Sequence, residues 1–271
     1  MTTESRNPRS IGLDRMSGAE IVRLMNEEEQ AVLKALAQAE GSIAEAAAKA
    51  AEAFQKGGRV VYVGAGTSGR VALADSAEMP PTFGIEPDRF IALVAGGASA
   101  AGTAIENAED DDLAPVEEMN ALRLTPDDIV IGLAASGRTP YVIGAVRHAR
   151  QKGLWTCGIA NNPGAPLFDH VDLPILLHTG PEVLTGSTRL KAGTSQKLIL
   201  NRISTTAMVL SGKVIENLMV DVKATNAKLR ERCGRIVVQL TQIPMDEALE
   251  ILEEKDWNVR SAIEEARRRI A

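Results

Sequence analysis

Arg59-Val-Val-Tyr-Val-Gly-Ala-Gly-Thr-Ser-Gly-Arg70 sets an unbroken apolar run against a glycine-rich turn, and its reading decides the fold. A continuous apolar run, rather than an alternating one, belongs to a strand covered on both faces, which is the strand type of parallel sheets. The glycines let backbone approach a ligand closely. A helix opening at that turn offers free N–H donors and the positive end of its dipole. Thr67 and Ser68 add hydroxyl donors beside Gly66, a set suited to a phosphate dianion. The spacing of Gly64, Gly66 and Gly69 also fits a dinucleotide fingerprint. That reading wants an acidic residue after the second strand, where this chain has Ala95-Gly96-Gly97. A Walker loop fails because Arg70 and Val71 stand where Lys and Ser or Thr belong. A plain structural turn stays open beside the phosphate reading.

Outward from this unit the pattern repeats. Arg59–Val63, Phe90–Ala95, Ile129–Ala134, Leu154–Ala160 and Leu173–Leu177 read as strands, and segments near 69–79, 99–109, 139–152 and 190–211 as helices. The alternation predicts an α/β fold with a mostly parallel sheet covered on both faces, binding ligands beyond the carboxyl ends of its strands. On the amino-terminal side, residues 1–16 read as an extended arm. Ser17-Gly-Ala-Glu20 forms a capping box, followed by a helix to about Gln38 and a second over Ile43–Lys56. From Val214 onward no strand is expected. Residues 214–232 read as one long helix, and Pro244 opens a last pair of short helices. The expected division is 1–58, 59–213 and 214–271. Residues 245–271 resemble a small UBA-like module, with a plain helical cap on the main domain as the preferred alternative.

The chain has 271 residues, 45% hydrophobic but only 3% aromatic, so its core must be aliphatic. A formal net charge of −6 argues against nucleic acid as a partner, since binding a phosphate backbone needs a basic face. Two cysteines, Cys157 and Cys233, fit neither a metal nor a disulfide framework. No stretch approaches the roughly 18 apolar residues that span a bilayer. Met1 to Ser10 is polar and lacks the apolar segment of a secretion signal. The expectation is a cytoplasmic protein with no membrane contact. His148, His170 and His178 form no plausible metal cluster and are read as surface or packing residues.

Other segments carry candidate chemistry. Ser136-Gly-Arg-Thr-Pro140 repeats the strand–loop–helix arrangement, and Pro140 at the first helical position makes Thr139 the expected cap. With the Thr139 hydroxyl so engaged, Ser136 becomes the better ligand donor, alongside Gly137 and Arg138. Glu78, in Ala77-Glu-Met-Pro-Pro-Thr-Phe83, lies just before two prolines expected to stop the helix, with Met79 and Phe83 as apolar company. That is a setting for a general acid, although an ordinary exposed helix glutamate fits slightly better on these residues alone. Glu106 and Glu109 fall on one face of the expected 99–109 helix and run into Asp110–Asp112, which by itself reads as a solvated acidic run. Ser187, Thr188 and Lys191 precede a long helix and suit either an anion or a simple capped loop.

Taken together, Gly64–Arg70, Glu78–Gly84, Ala134–Val142, Thr185–Lys197 and Asn217–Val222 resemble, in order, the N-acetylmuramic acid 6-phosphate etherase family over roughly residues 9 to 235. The resemblance implies an SIS (sugar isomerase) fold, a three-layer α-β-α sandwich, and a homodimer needing no metal or organic cofactor; the small helical segment after it is read from its own residues, since the tail beyond 235 is shorter than in many members. It places the family's two functional carboxylates on Glu78 and, through Ala108-Glu-Asp110, on Glu109, with Glu106 as a rival. The expected substrate is a small sugar 6-phosphate held by Gly66, Thr67, Ser68, Ser136, Gly137, Arg138, Thr139, Ser187, Thr188 and Lys191. The chain departs from the family at Met79, where Cys is frequent, at Asn107, where Gly is usual, and at Ala98, where an acid is common. Two alternatives stand beside the etherase: a sugar-phosphate isomerase, and a non-catalytic sugar-phosphate sensor that regulates a partner protein.

Overall fold

The structure is a computed structural model that describes residues 1–103, 105 and 107–270. It forms two compact units, Met1–Ser76 with Asp88–Ala207, and Ala77–Pro87 with Met208–Ala271.

In the first unit the arm takes three short 3-10 turns, Thr2–Glu4, Pro8–Ser10 and Leu13–Arg15, rather than an extended run. The capping box at Ser17 starts α1 (Gly18–Glu28): the Ser17 Oγ accepts from the Glu20 N–H and the Glu20 carboxylate accepts from Ser17. The expected single helix to Gln38 is divided, with α2 spanning Gln30–Gln38. Around Glu29 the turn tightens, because the Val32 N–H bonds the carbonyl three residues back, that of Glu29. α3 covers Glu40–Gln55.

All five expected strands are present: β1 (Val60–Gly64), β2 (Phe90–Val94), β3 (Ile129–Leu133), β4 (Trp155–Ala160) and β5 (Leu173–Leu176). They pair in parallel in the order β2-β1-β3-β4-β5. Between them lie α4 (Gly66–Phe83), α5 (Ala114–Leu122), α6 (Pro140–Gln151) and, after β5, α7 (Lys191–Leu210). Successive strand residues face opposite layers. Val61, Val63 and Val130 pack with Tyr141, Val142 and Val146 of α6, whereas Tyr62 turns the other way and bonds Asp75 of α4. The result is the α-β-α layering of an SIS-type domain. Because β1 is followed by β2 on one side and β3 on the other, the strand order reverses there. The crevice of such a sheet opens beyond the carboxyl ends of those two strands.

Several local expectations are corrected. α4 runs through Pro80 and Pro81 to Phe83. A proline's fixed φ suits a helix, and the Gly84 N–H still reaches the Pro80 carbonyl at 2.9 Å, so the stop moves one turn later, to Gly84 at φ 64°. The helix expected over 99–109 is replaced by 3-10 turns at Gly97–Ala101 and Ala108–Asp110. Gly96, Gly97 and Asn107 take left-handed angles that a continuous helix excludes. The sequence reading passed over α5, which Asp111 starts by accepting the N–H groups of Leu113 and Ala114.

In the second unit the helix expected over 214–232 is displaced: α8 covers Ala227–Thr241, capped by the Asn226 side chain on the Leu229 N–H. Val220 and Val222 are both buried beside a turn, in which the Val222 N–H bonds the Met219 carbonyl at 3.4 Å, so the chain here is not helical. α9 (Met245–Glu254) and α10 (Val259–Ile270) follow, joined through Lys255–Asn258, as the Pro244 break led one to expect. Cys233, Ile236, Val237, Ile251, Leu252 and Ile263 form the unit's own core with Val220 and Val222.

Gly64 and Gly69 set how closely α4 follows β1. A Cβ built on Gly69 would lie 2.6 Å from Val94 Cγ1 and 2.8 Å from the Gly64 carbonyl oxygen. We expect Gly69→Ala to lower stability by about 1–3 kcal/mol, the usual cost of overpacking, read as a lower urea midpoint at unchanged m-value. A parent-like midpoint would show that the strand–helix approach is slack.

Candidate active site

The first loop leaves β1 at Gly64 and enters α4 at Gly66, the second leaves β3 at Leu133 and enters α6 at Pro140, and Gly64 and Leu133 are register partners. The two loops are therefore neighbours at the switch point. Ser68 is buried in the first turn of α4, while Gly66 is exposed and Thr67 half-buried. In the second loop Gly137 has φ 68°, and a Cβ there would sit 2.3 Å from that of Ala165, so the residue must be glycine on both counts. The hydroxyl roles expected from sequence are exchanged. Thr139 occupies the cap position without a side-chain cap bond, and Ser136 Oγ accepts the Arg138 N–H at 3.2 Å. Ser136 keeps its O–H free to donate, and Arg138 is exposed.

The third segment meets the first. A Cβ on Gly193, in the first turn of α7, would lie 3.1 Å from Thr67 Cγ2, and the Gly193 N–H bonds the Thr188 carbonyl. Ser187 and Thr188 are half-buried at this end of α7. Lys191 is buried, and its ammonium is held 2.6 Å from Glu28 Oε2. The N-terminus of α7 is itself occupied: the buried Glu182 carboxylate accepts the N–H groups of Lys191 and Ala192, each at 3.0 Å.

Glu109 is exposed and lines a cavity of about 200 Å³ with Gly66, Arg70, Ala95, Ala100 and Asn107. Arg70 closes one wall by donating to the Ala100 carbonyl at 3.1 Å. The structure thus brings Glu109 against the first glycine loop. Glu78 lies in the portion of α4 that belongs to the second unit. It is exposed while Met79 and Phe83 are buried, since the next helical residue points about 100° away. The apolar neighbours in sequence do not enclose its carboxylate. Glu106 lies outside the described residues.

The sequence reading passed over the polar residues that hold the loops. Asn161 and Asn162, both buried, follow β4. Asn161 donates to the Leu177 carbonyl and to Ser195 Oγ, its N–H bonds the Ala135 carbonyl, and Asn162 also donates to Ala135. A polar pair directly after an apolar strand was the available signal. Under α4, buried Asp75 accepts bonds from Tyr62, Asn201 and Ser204. Burial pushes the Asp75 carboxyl up, against those bonds and the charge of Lys197. Burial likewise pushes the Glu182 carboxyl up, against its two backbone bonds and Lys191. Glu28 goes the other way: burial opposes ionisation, but Lys191, Asn7 and Arg9 outweigh it and hold the carboxyl below its usual range. Among the described residues no three His, Cys, Asp or Glu side chains come together as a metal site, and no helix is long and apolar enough to cross a membrane.

The parallel sheet, reversed at β1 and covered by helices on both faces, has the architecture of the SIS class. A family model described as the glucokinase regulatory protein N-terminal SIS domain matches residues 42–150. The phosphoheptose isomerase from Francisella tularensis superposes with a TM-score of 0.56 at 20% identity, covering 71% of this chain and 98% of its own. That from Neisseria gonorrhoeae gives 0.55 at 20%, over 70% and 98%. Closer in sequence, the N-acetylmuramic acid 6-phosphate etherase of Pectobacterium atrosepticum is 51% identical over 97% of this chain and 87% of its own. That of Lactobacillus acidophilus is 49% identical over 97% and 88%. The chain belongs to the N-acetylmuramic acid 6-phosphate etherase family.

The raised Asp75 carboxyl carries a pH signature. A group whose folded pKa exceeds its unfolded value contributes stability that is complete below the unfolded value and is lost as pH rises through the folded one. We expect Asp75→Asn, which does not ionise, to gain on the parent as pH rises from about 4, the ordinary aspartate range. The urea midpoint of Asp75→Asn relative to that of the parent should rise toward neutral pH. A pH-independent difference would show that the burial of this carboxylate is fully offset.

Proposed function

We propose that the chain cleaves the D-lactyl ether of N-acetylmuramic acid 6-phosphate, giving N-acetylglucosamine 6-phosphate and D-lactate. It is a carbon–oxygen lyase of amino-sugar metabolism, fitted to the recycling of cell-wall sugars. The observation that carries this reading is half identity along 97% of the chain to etherases. A carboxylate, Glu109, facing the glycine loop at the sheet's switch point supports it.

In the ring-opened aldehyde the C2 proton is acidic because its loss gives an enolate. Glu109, as base, takes that proton to leave the enolate, whose electron pair then forms the C2–C3 double bond as the C3–O bond breaks. Glu78, as acid, protonates the departing oxygen and lactate leaves. Water then adds across the double bond, its hydroxyl to C3 and a proton to C2. Two carboxyl groups in opposite protonation states suffice for this sequence, and no metal or organic cofactor is assigned a part. The phosphate falls to the loops: Gly66, Thr67 and Ser68 of the first, and Ser136, Gly137, Arg138 and Thr139 of the second, with the sugar reaching Ser187 and Thr188. Lys191 acts here through Glu28, by fixing the start of α7. Its acidic net charge and the absence, among the described residues, of a membrane-crossing helix fit a cytoplasmic enzyme that binds neither nucleic acid nor membrane, and we read it as a homodimer.

Two measurements test the assignment. Ser68→Ala and Ser136→Ala should each weaken sugar 6-phosphate binding by roughly 1.5–3 kcal/mol, the worth of a hydrogen bond to a charged group, while the unphosphorylated sugar binds as before. Equal losses for both sugars would remove the phosphate from these loops. In deuterated water Glu78→Gln should stop lactate release yet retain exchange at C2, whereas Glu109→Gln should lose both, each by about 10²–10⁴-fold. A Glu109→Gln enzyme that exchanges C2 at the parent rate would refute the base assignment. Isomerisation of a sugar phosphate, or binding with no turnover at all, would favour the isomerase or the sensor.

A further inference from the structure

Residues 1–16 contribute no strand and no α-helix to the first unit, yet Thr3 and Asn7 within them are 0% and 3% exposed. Two knots of hydrogen bonds bury them, and each knot ends at a loop of the site. In the first, Thr2 Oγ1 and the Thr3 N–H both donate to Asn162 Oδ1, at 3.0 and 3.2 Å. Asn162 Nδ2 donates in return to Thr3 Oγ1 and to the Ala135 carbonyl, each at 2.9 Å. Ala135 directly precedes Ser136. In the second, Asn7 Nδ2 donates to Glu28 Oε2 at 2.7 Å and to the Pro181 carbonyl at 3.3 Å. The same Glu28 oxygen accepts from Lys191, the first residue of α7. Pro181 opens the segment that leads to Ser187 and Thr188.

The amides of both knots close on backbone carbonyls of the loops. Bonds of this kind fix position with little gain in buried apolar area, and their donors and acceptors leave little latitude in geometry. A ligand gripped by two loops must otherwise order their separation when it binds, and that ordering subtracts from affinity. We propose that the arm is a strap, with Asn162 and Asn7 as its positioning residues, that fixes the separation of the 134–140 loop and the 180–191 segment before a sugar 6-phosphate arrives. The identity of that sugar rests on the function proposed above; the strap does not. Contacts to the phosphate are the same in ground and transition states, so loosening the strap raises KM and leaves kcat in place.

The test uses Asn162→Ala, Asn7→Ala, their double variant, and Thr3→Val, which removes the hydroxyl at constant shape. For each, kcat, KM for lactate release, the dissociation constant of N-acetylglucosamine 6-phosphate and the thermal midpoint are measured. The strap requires KM and the dissociation constant to rise together by about tenfold, one hydrogen bond's worth, with kcat within about twofold of the parent. Because cutting either end frees the strap, the double variant should be no weaker than the worse single one. Parent-like KM and dissociation constants, or a kcat that falls with the thermal midpoint at constant KM, would overturn the proposal. So would losses that multiply in the double variant, since these indicate two independent contacts. A parent that binds the sugar phosphate without releasing lactate sinks the etherase reading and leaves the strap to be judged on the dissociation constants.

Discussion

The near-contact of Gly69 with the end of β1 is the constraint on which the site depends. With no Cβ on either Gly64 or Gly69, α4 begins directly after the strand, and its first free N–H groups open at the carboxyl ends of the paired strands β1 and β3, where the strand order reverses. A side chain at either position would displace the helix start, and buried Ser68 would move with it. The second loop obeys the same rule with different atoms: Gly137 passes close to Ala165, so the turn after β3 is as tight as the turn after β1. Two adjacent strands therefore deliver two helix N-termini to one crevice.

Polar groups inside the first unit give those loops their positions. In a chain with only 3% aromatic residues the core is largely aliphatic and offers few rigid shapes that lock one arrangement, so directional bonds carry that task. Asn161 ties the ends of β4 and β5 to α7, Glu182 caps α7, and Asp75 joins β1, α4 and α7. Each of these side chains is buried at a cost, and each has several partners that offset part of it. The groups assigned to chemistry are treated oppositely. Glu78 and Glu109 stand exposed, while the carboxylates that hold the frame are shielded.

The sequence by itself determined the five strands, the two glycine loops and the family, because each is written in a local pattern: unbroken apolar runs, turn residues at fixed spacing, long motifs in order. Its hydroxyl-bearing glycine loops suited a phosphate, whereas Glu78 and Glu109 drew their assignment only from the family motifs, because by themselves they read as a helix glutamate and part of an acidic run. Where two local signals competed, it erred. Pro80 and Pro81 read as a helix stop, although their φ angles suit the final turn of α4, and the turn at Met219–Val222 was absorbed into a helix that begins only at Ala227. The tertiary structure alone decided which loops are neighbours, since that follows from strand order and not from any stretch of chain. It also decided the surroundings of single residues: that Lys191 is buried against Glu28, that Met79 turns inward while Glu78 does not, and that the arm reaches Asn162, some 160 residues away. Such pairings depend on packing between distant segments, and a distant partner leaves no periodic trace in the residues that it holds.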